Sequence, residues 1–317
     1  MNAFQVLKAG LFTAVQDSGR FGYLNYGVPI SGAMDAFSLV VANSLVANDE
    51  NSACLETTII GPELQALGRT QIAITGGACS PKINGHSIPM WQTVAAEEGD
   101  VISFGRMDSG CRAYVAMRGG IDSPVLLGSR STYVRGGFGG IDGRQLKAGD
   151  LIKGFPSSHL RVDYQIPEEL IPLFTDRFSI HVVLGPQADM FTKSGTEALL
   201  SGQYRVTLDA DRMGYRLEGP TIEHKEKAEI VSDALLPGSI QVPKNGKPIV
   251  MMKDAQTTGG YPKIAVAITP DLDLLGQARP DDEMQFFKTT VKQAHERIRQ
   301  RHDLLSHLSL RLMKDSG

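Results

Sequence analysis

Apolar residues along this chain fall in short runs that stop at Gly, Pro, Asp or Asn: Gln71 to Thr75, Val101 to Phe104, Arg112 to Met117, Phe178 to Leu184 and Ile264 to Ile268. Runs of this length closed by turn formers predict strands. Helical spacing is confined to a few places. From Met34 to Val46, Phe37, Val40, Val41 and Leu45 share one face, after Ser31 and Gly32. A second helix is expected from about Thr290 to Leu312, where Val291, Ala294, Ile298, Leu305, Leu308 and Leu312 keep helical spacing, interrupted by Arg301. Such a stripe implies docking onto the parent domain rather than onto a partner helix. The pattern is that of a mainly β protein with a few short helices and a C-terminal helix.

Two stretches look alike. Pro81 to Met90 and Pro243 to Met251 each place an Asn-Gly turn before a short apolar run. Downstream, Asp100-Val-Ile-Ser-Phe104 is echoed by Asp282-Glu-Met-Gln-Phe286 and, more faintly, by Asp150-Leu-Ile-Lys153. A turn acid followed by a strand in both halves implies two related β modules, although hairpins share a small vocabulary and chance similarity competes with that reading. The proline-flanked connection from Pro156 to Pro167, with Ser157 and Ser158, is the expected boundary. It gives an N-terminal β module over 1–160 containing the helix at 34–46, a second module over 168–288, and a C-terminal helix over 289–317.

Composition narrows the class. Of 317 residues 34 are glycine, without collagen-like period, which fits many tight turns. The net charge is −3 with scattered basic residues, so nucleic acid and anionic membrane are poor partners. Three cysteines, Cys54, Cys79 and Cys111, form no CxxC pair, which fits a reducing, cytoplasmic compartment. No signal peptide or membrane span is expected. Seven histidines make no HExxH or HxH arrangement, and no metal site is expected. Neither a GxxxxGK[ST] loop nor GxGxxG occurs; 136–142 fails the latter at Asp142. GxSxG and SxxK are also absent.

Two polar stretches remain as candidates for chemistry. The first is 16–35, with four glycines, Asp17, Arg20, and Ser31-Gly32 leading into a helix whose first turn is expected to hold Asp35. Arg20 can clamp a carboxylate while N–H groups near Ser31 to Met34 face an anion. Equally, the loop can be braced by an Asp17–Arg20 ion pair with Ser31 as an N-cap. The second is 251–264, which joins two strands through Asp254, Gln256, Thr257, Thr258, Gly259, Gly260, Tyr261 and Lys263. A Thr-Thr-Gly-Gly turn can nest an anion, and Asp254 and Lys263 are acid/base candidates. A plain hairpin rarely carries so many different donors. Arg130, Arg212 and Gln241 add a guanidinium or amide beside glycine turns. That vocabulary fits a small polar anion.

These blocks together resemble the family called allophanate hydrolase subunit 2 or KipA, which includes the C subunit of 5-oxoprolinase and part of the carboxyltransferase region of urea carboxylase. The resemblance spans nearly the whole chain. It rests on QDSGRFGYLNYGVPISGAMD at 16–35, MRGGID at 117–122, GSRST at 128–132, DRMGYRLEG at 211–219, and SIQVP followed by DAQTTGGYPKIA at 254–265. Met117 stands where Ala or Val is usual, and Gly276-Gln-Ala-Arg-Pro-Asp281 replaces Ala-Gln-Leu-Arg-Pro-Gly. The resemblance implies a pair of cyclophilin-like β-barrel modules, and two partner subunits, one KipI-like and one of the LamB/YcsF type. The implied activity is an ATP-dependent 5-oxoprolinase that opens 5-oxo-L-proline to L-glutamate. With no phosphate loop here, ATP is expected largely on a partner. In that reading Asp254, Thr257, Thr258, Tyr261 and Lys263 are catalytic. Asp17, Arg20, Ser31, Gly32, Asp35, Arg130, Arg212, Gln241, Gln256, Gly259 and Gly260 line the substrate. The rivals are a urea carboxylase-like carboxyltransferase, with biotin on a separate carrier because no Ala-Met-Lys-Met sequence occurs, and a KipA-like regulatory protein that sequesters a kinase inhibitor.

Overall fold

The computed structural model describes residues 2–156 and 162–314. Ser157 and Ser158 of the expected boundary lie outside the described residues. Two compact units are present: Met1–Arg20, Ser31–Phe174 and Asp303–Gly317 in the first, Phe21–Ile30 and Thr175–His302 in the second. The chain passes between them beyond Phe174, later than the Pro156 to Pro167 connection, and 21–30 joins the second unit although its neighbours in sequence belong to the first.

The first unit has two antiparallel sheets. One runs Leu151–Lys153, Asn2–Lys8, Glu63–Ala66, Val101–Ser103, Lys82–Ile83, His86–Ser87. The other runs Phe12–Gln16, Cys54–Thr58, Arg112–Met117, Thr70–Gly76, Thr93–Ala96. Phe4, Val6, Leu64 and Ile102 from the first sheet meet Val15, Leu55, Ile74 and Val115 from the second in one core. The opposite face of the second sheet is covered by α1 (Ala36–Leu45), so that Leu39, Val41 and Leu45 pack with Ala73, Tyr114 and Ala116. Covered on both faces, Arg112–Met117 is buried at all six positions. This is why Ala113–Met117 reads as an unbroken apolar run instead of an alternation.

In the second unit the sheet closes on itself. Its order is Arg177–Leu184, Lys263–Ala267, Ser239–Gln241, Ile249–Met251, Gly214–Glu218, Gln203–Val206, Glu283–Lys288. A parallel pairing of the last with the first completes the ring. The protein is therefore mainly β, as the pattern predicts. Among the described residues one module forms a closed barrel and the other two packed sheets. Outside the barrel, Asp233–Ala234 pairs with Thr258–Gly259. Three further helices are α2 (Lys193–Ser201), α3 (Asp271–Gln277) and α4 (Val291–Lys314). The α4 stripe is buried only in part: Ala294 and Leu308 are covered, while Val291 and Ile298 stay exposed. Arg301, its polar interruption, pairs with Asp273 at the first turn of α3. No described helix is long and apolar enough to cross a membrane.

The echoed acids mark one recurring turn. At 97–100, 147–150 and 279–282 the closing Asp carboxylate accepts the N–H of the first residue, at 2.8 Å each time. The third residue is left-handed: Gly99 at φ 90°, Gly149 at 92°, Asp281 at 74°. Its N–H bonds the carbonyl of Ala66, Val6 or Val206, respectively, at 2.8–2.9 Å. The similarity of the two halves is thus real at the turns that launch Val101–Ser103, Leu151–Lys153 and Glu283–Lys288. The two Asn-Gly pairs differ. Asn84 and Gly85 are both left-handed, at φ 52° and 84°, as a tight two-residue hairpin requires. At 243–246 only Gly246 is left-handed, at φ 73°, and it closes a turn onto the Pro243 carbonyl.

Candidate functional site

In the first unit the 16–35 stretch folds as a braced loop. The Asp17 carboxylate accepts from the Gly19 N–H (2.8 Å), the Ser129 and Ser131 hydroxyls (2.7 and 2.5 Å) and the Arg130 N–H (2.6 Å). The Asp17 charge is therefore spent on tying 16–20 to 128–132. Arg20, 1% exposed, donates to the Ser131 carbonyl at 2.6 Å and lies 4.9 Å from the Phe138 ring centroid. The Arg130 guanidinium sits over Phe155 and 3.7 Å from Asp122. Gly32 is left-handed at φ 81°, and a Cβ there would meet the Gly19 backbone at 2.7 Å, so the two loop arms touch through glycine.

Asp35, not Ser31, caps α1: its carboxylate takes the N–H and hydroxyl of Ser38 at 2.9 and 2.6 Å. Ser31 is fully buried and left-handed at φ 53°. Of the backbone donors expected near Ser31 to Met34, Ala33 N–H bonds the Asp17 carbonyl and Met34 N–H the Glu56 carboxylate, and next to them Asp35 N–H bonds the Tyr114 hydroxyl, each at 2.8 Å. Glu56 stands where an anion would, with Tyr114 donating to it at 2.8 Å and the Arg112 guanidinium ion-paired with it at 3.6 Å. Burial, then the neighbouring Glu56 charge, pushes the Tyr114 phenol well above its ordinary range. Sequence reasoning missed Glu56 and Tyr114, because α1 covers a sheet face that strand alternation alone leaves open to water.

In the second unit the 251–264 stretch is divided in two. Met251 pairs with Gly214, and the backbone bonds of Met252 and Asp254 to Met213 and Arg212 continue beyond that end of the barrel. There Asp254 and Arg212, both buried, form a bidentate pair at 2.9 and 3.1 Å. Lys263 pairs instead with Gln241, at the opposite end of strands that also join Ser239 to Val266. Asp254 and Lys263 thus belong to separate constellations.

The Lys263 constellation links barrel strand Lys263–Ala267 to the Asp233–Ala234 strand outside the barrel sheet. Lys263, 4% exposed, donates from Nζ to Asp233 Oδ2 at 2.5 Å and to the Ala234 carbonyl at 2.8 Å. Gln187 binds both partners: Oε1 takes the Lys263 N–H at 3.2 Å and Nε2 donates to Asp233 Oδ2 at 3.1 Å. The Asp233 side chain is 47% exposed. The Lys263 ammonium, then the Ala234 N–H and the Gln187 amide, hold its carboxyl below the ordinary value of 3.8. Gln241 is buried and donates to the Tyr261 carbonyl at 3.0 Å. It lies directly under Gly259, where a Cβ would meet its Nε2 at 2.6 Å. Thr258, Gln256 and Tyr261 are exposed, while Thr257, Gly259 and Gly260 are half-buried.

This arrangement supplies a buried ammonium paired with a half-exposed carboxylate. It can hydrogen-bond a carbonyl oxygen or an anion. Asp233 and Gln187 escaped sequence reasoning because each lies far along the chain from 251–264, in a short segment with no periodic signal. A cleft of about 520 Å³ elsewhere in the unit, lined by residues between Thr221 and Glu229 with Lys244 and Gly246, contains none of the expected site residues. The three cysteines are buried, and burial pushes the Cys79 thiol up to about 12, which removes it as a nucleophile near neutral pH.

The sequence pattern of the carboxyltransferase domain, subdomain A and B, matches residues 26–288. The chain belongs to that family. Among carboxyltransferase-domain proteins, the 5-oxoprolinase C subunit of Escherichia coli (strain K12) is 33% identical over 312 residues, covering 98% of this chain and 99% of that one. Urea amidolyase of Saccharomyces cerevisiae is 35% identical over 90% of this chain, which spans only 16% of that much longer protein. The crystal structure of the K. lactis urea amidolyase superimposes with a TM-score of 0.91 at 32% identity, over 96% of this chain and 20% of that one. The crystal structure of TTHA0988 gives 0.82 at 35% identity, over 92% and 56%.

Proposed function

We propose that this carboxyltransferase-domain chain is the C subunit of an ATP-dependent 5-oxoprolinase, which adds water across the lactam C–N bond of 5-oxo-L-proline to give L-glutamate. The observation that carries this reading is the end-to-end correspondence with the E. coli C subunit, in contrast to the small fraction of urea amidolyase that this chain spans. A stable amide needs its oxygen polarised as charge builds there. Lys263 supports that role because its ammonium is held in place before any ligand arrives. Thr258 and Tyr261 would close around the ring, and Gly259 and Gly260 let backbone approach it.

The starts of α1 and α2 do not fit ATP phosphates. The α1 start is filled by Glu56 and Tyr114, and at α2 the Thr192 and Ser194 hydroxyls donate to Glu223. ATP is therefore assigned to a partner, either the KipI-like one or the one of LamB/YcsF type. The test is ATP- and 5-oxoproline-dependent glutamate release by the three reconstituted subunits; full turnover without this chain would sink the reading. The TM-score of 0.91 supports a second reading, a carboxyltransferase acting with biotin on a separate carrier. Transfer of a carboxyl group from carboxybiotin to urea by the same preparation, with no glutamate release, would select it.

A further inference from the structure

We infer that Asp233 is a positioning residue for this chemistry: it fixes the Lys263 ammonium at the barrel wall, with Gln187 tying both to one backbone. The inference rests on the proposed function for the identity of the substrate, a small cyclic amide, and on geometry for the rest.

A lysine only 4% exposed needs a counter-charge. Asp233 supplies it from outside the barrel, on a two-stranded strap whose other strand is Thr258–Gly259. The strap is held by the Ile230 N–H on the Gly260 carbonyl and the Leu235 N–H on the Thr257 carbonyl, both at 2.9 Å. An ammonium carries three N–H donors. Asp233 and the Ala234 carbonyl take two, and among the described residues the third has no acceptor, so an incoming oxygen can take it. Asp233 therefore does not compete for that last donor; it sets the direction in which the donor points. Gln187 makes the arrangement rigid, because one amide grips the Lys263 backbone with its oxygen and the Asp233 carboxylate with its nitrogen.

Kinetics of the reconstituted three-subunit complex test this. Asp233→Asn removes the counter-charge but keeps the shape. It should lower kcat about 10- to 100-fold, with KM changed less than about twofold, the scale of one charge-assisted hydrogen bond. Asp233→Glu should recover most of the loss. In a Lys263→Ala background Asp233→Asn should cost nothing further, since the two act as one unit. A kcat within twofold of the parent, or losses that multiply, overturns the inference.

A second measurement reads the pair without turnover. Acetylation by acetic anhydride, followed at Lys263 by peptide mass spectrometry on the intact chain, should be at least about tenfold faster in Asp233→Asn and slow again in Asp233→Glu. An unchanged rate overturns the pairing. If the parent complex releases no glutamate, the proposed function fails, and the labelling still decides the role of Asp233.

Discussion

The second unit contains two acid–base pairs built to opposite plans. Arg212 and Asp254 are both buried and meet through two parallel hydrogen bonds, so both oxygens of the carboxylate are taken by the guanidinium. Lys263 is buried, but Asp233 faces water, and one ammonium proton keeps no protein acceptor among the described residues. The difference teaches that charge burial alone does not mark chemistry. A closed pair holds two turns together. A pair open on one side can still receive something, and for this reason the candidate site is centred on Lys263 rather than on Asp254.

The largest effect should come from breaking the closed pair. Asp254→Ala leaves the Arg212 guanidinium buried without its bidentate acceptor and should cost about 3–5 kcal/mol of stability. Urea unfolding of the isolated chain measures this. Replacing both residues by apolar ones of similar size should recover most of the loss. If Asp254→Ala instead unfolds at the parental urea concentration while the complex loses turnover, Asp254 is chemical and the contrast between the pairs collapses.

Lys263→Met should show the reverse profile. It removes a buried charge and leaves Asp233 at the surface, so urea unfolding should move little. Turnover should fall about 10²- to 10³-fold, roughly 3–4 kcal/mol, the scale of one preorganised donor. Steady-state kinetics and urea unfolding of the same variant together make the test. A large stability loss with proportionate activity would class this pair with Arg212–Asp254.

A smaller perturbation probes the floor of the open site. Gly259→Ala would press a methyl on the Gln241 Nε2 and Leu235 Cδ1 atoms, at 2.6 and 2.8 Å. Both are ends of flexible side chains, so about 1 kcal/mol of overpacking is expected. Loss of the Gln241 bond to the Tyr261 carbonyl should appear chiefly as a raised KM. An unchanged KM would show that the Gly259–Tyr261 rim does not contact substrate.

Much of this architecture was legible because local rules and tertiary structure agree. After Arg112, the strand is apolar from Ala113 to Met117 because α1 and the first sheet cover both its faces. The acids Asp100, Asp150 and Asp282 recur because one turn geometry needs a carboxylate at that position. The stretch 251–264 drew notice for its crowded donors, yet its division between two ends of the barrel follows from strand register, which composition does not encode. Partners such as Asp233 for Lys263 and Glu56 for the α1 start are chosen by pairing across distant segments, and no spacing announces them. The recurring turn also exposes a departure that sequence alone could only note: Asp281 is left-handed where Gly99 and Gly149 stand in the sister turns. Asp281→Gly should therefore stabilise the second unit by about 0.5–1 kcal/mol, seen as a raised urea midpoint with unchanged slope.

The subtlest separation of the two pairs comes from acid. Asp233 titrates below its ordinary value of 3.8 because Lys263 holds it charged. A carboxyl depressed in the folded state contributes stability that is fully present above the unfolded value, about 3.9, and disappears as pH falls through the depressed one. The stability difference between the parent and Asp233→Asn should therefore stay level from pH 7 to about pH 5 and shrink only below about pH 4. Urea midpoints measured across that range decide it. Because the carboxylate faces water, the pH dependence of this difference, rather than its size, is the signature to read. A difference that already shrinks between pH 7 and 5 would mean that Lys263 is not what holds Asp233, and the open pair would lose its counter-ion.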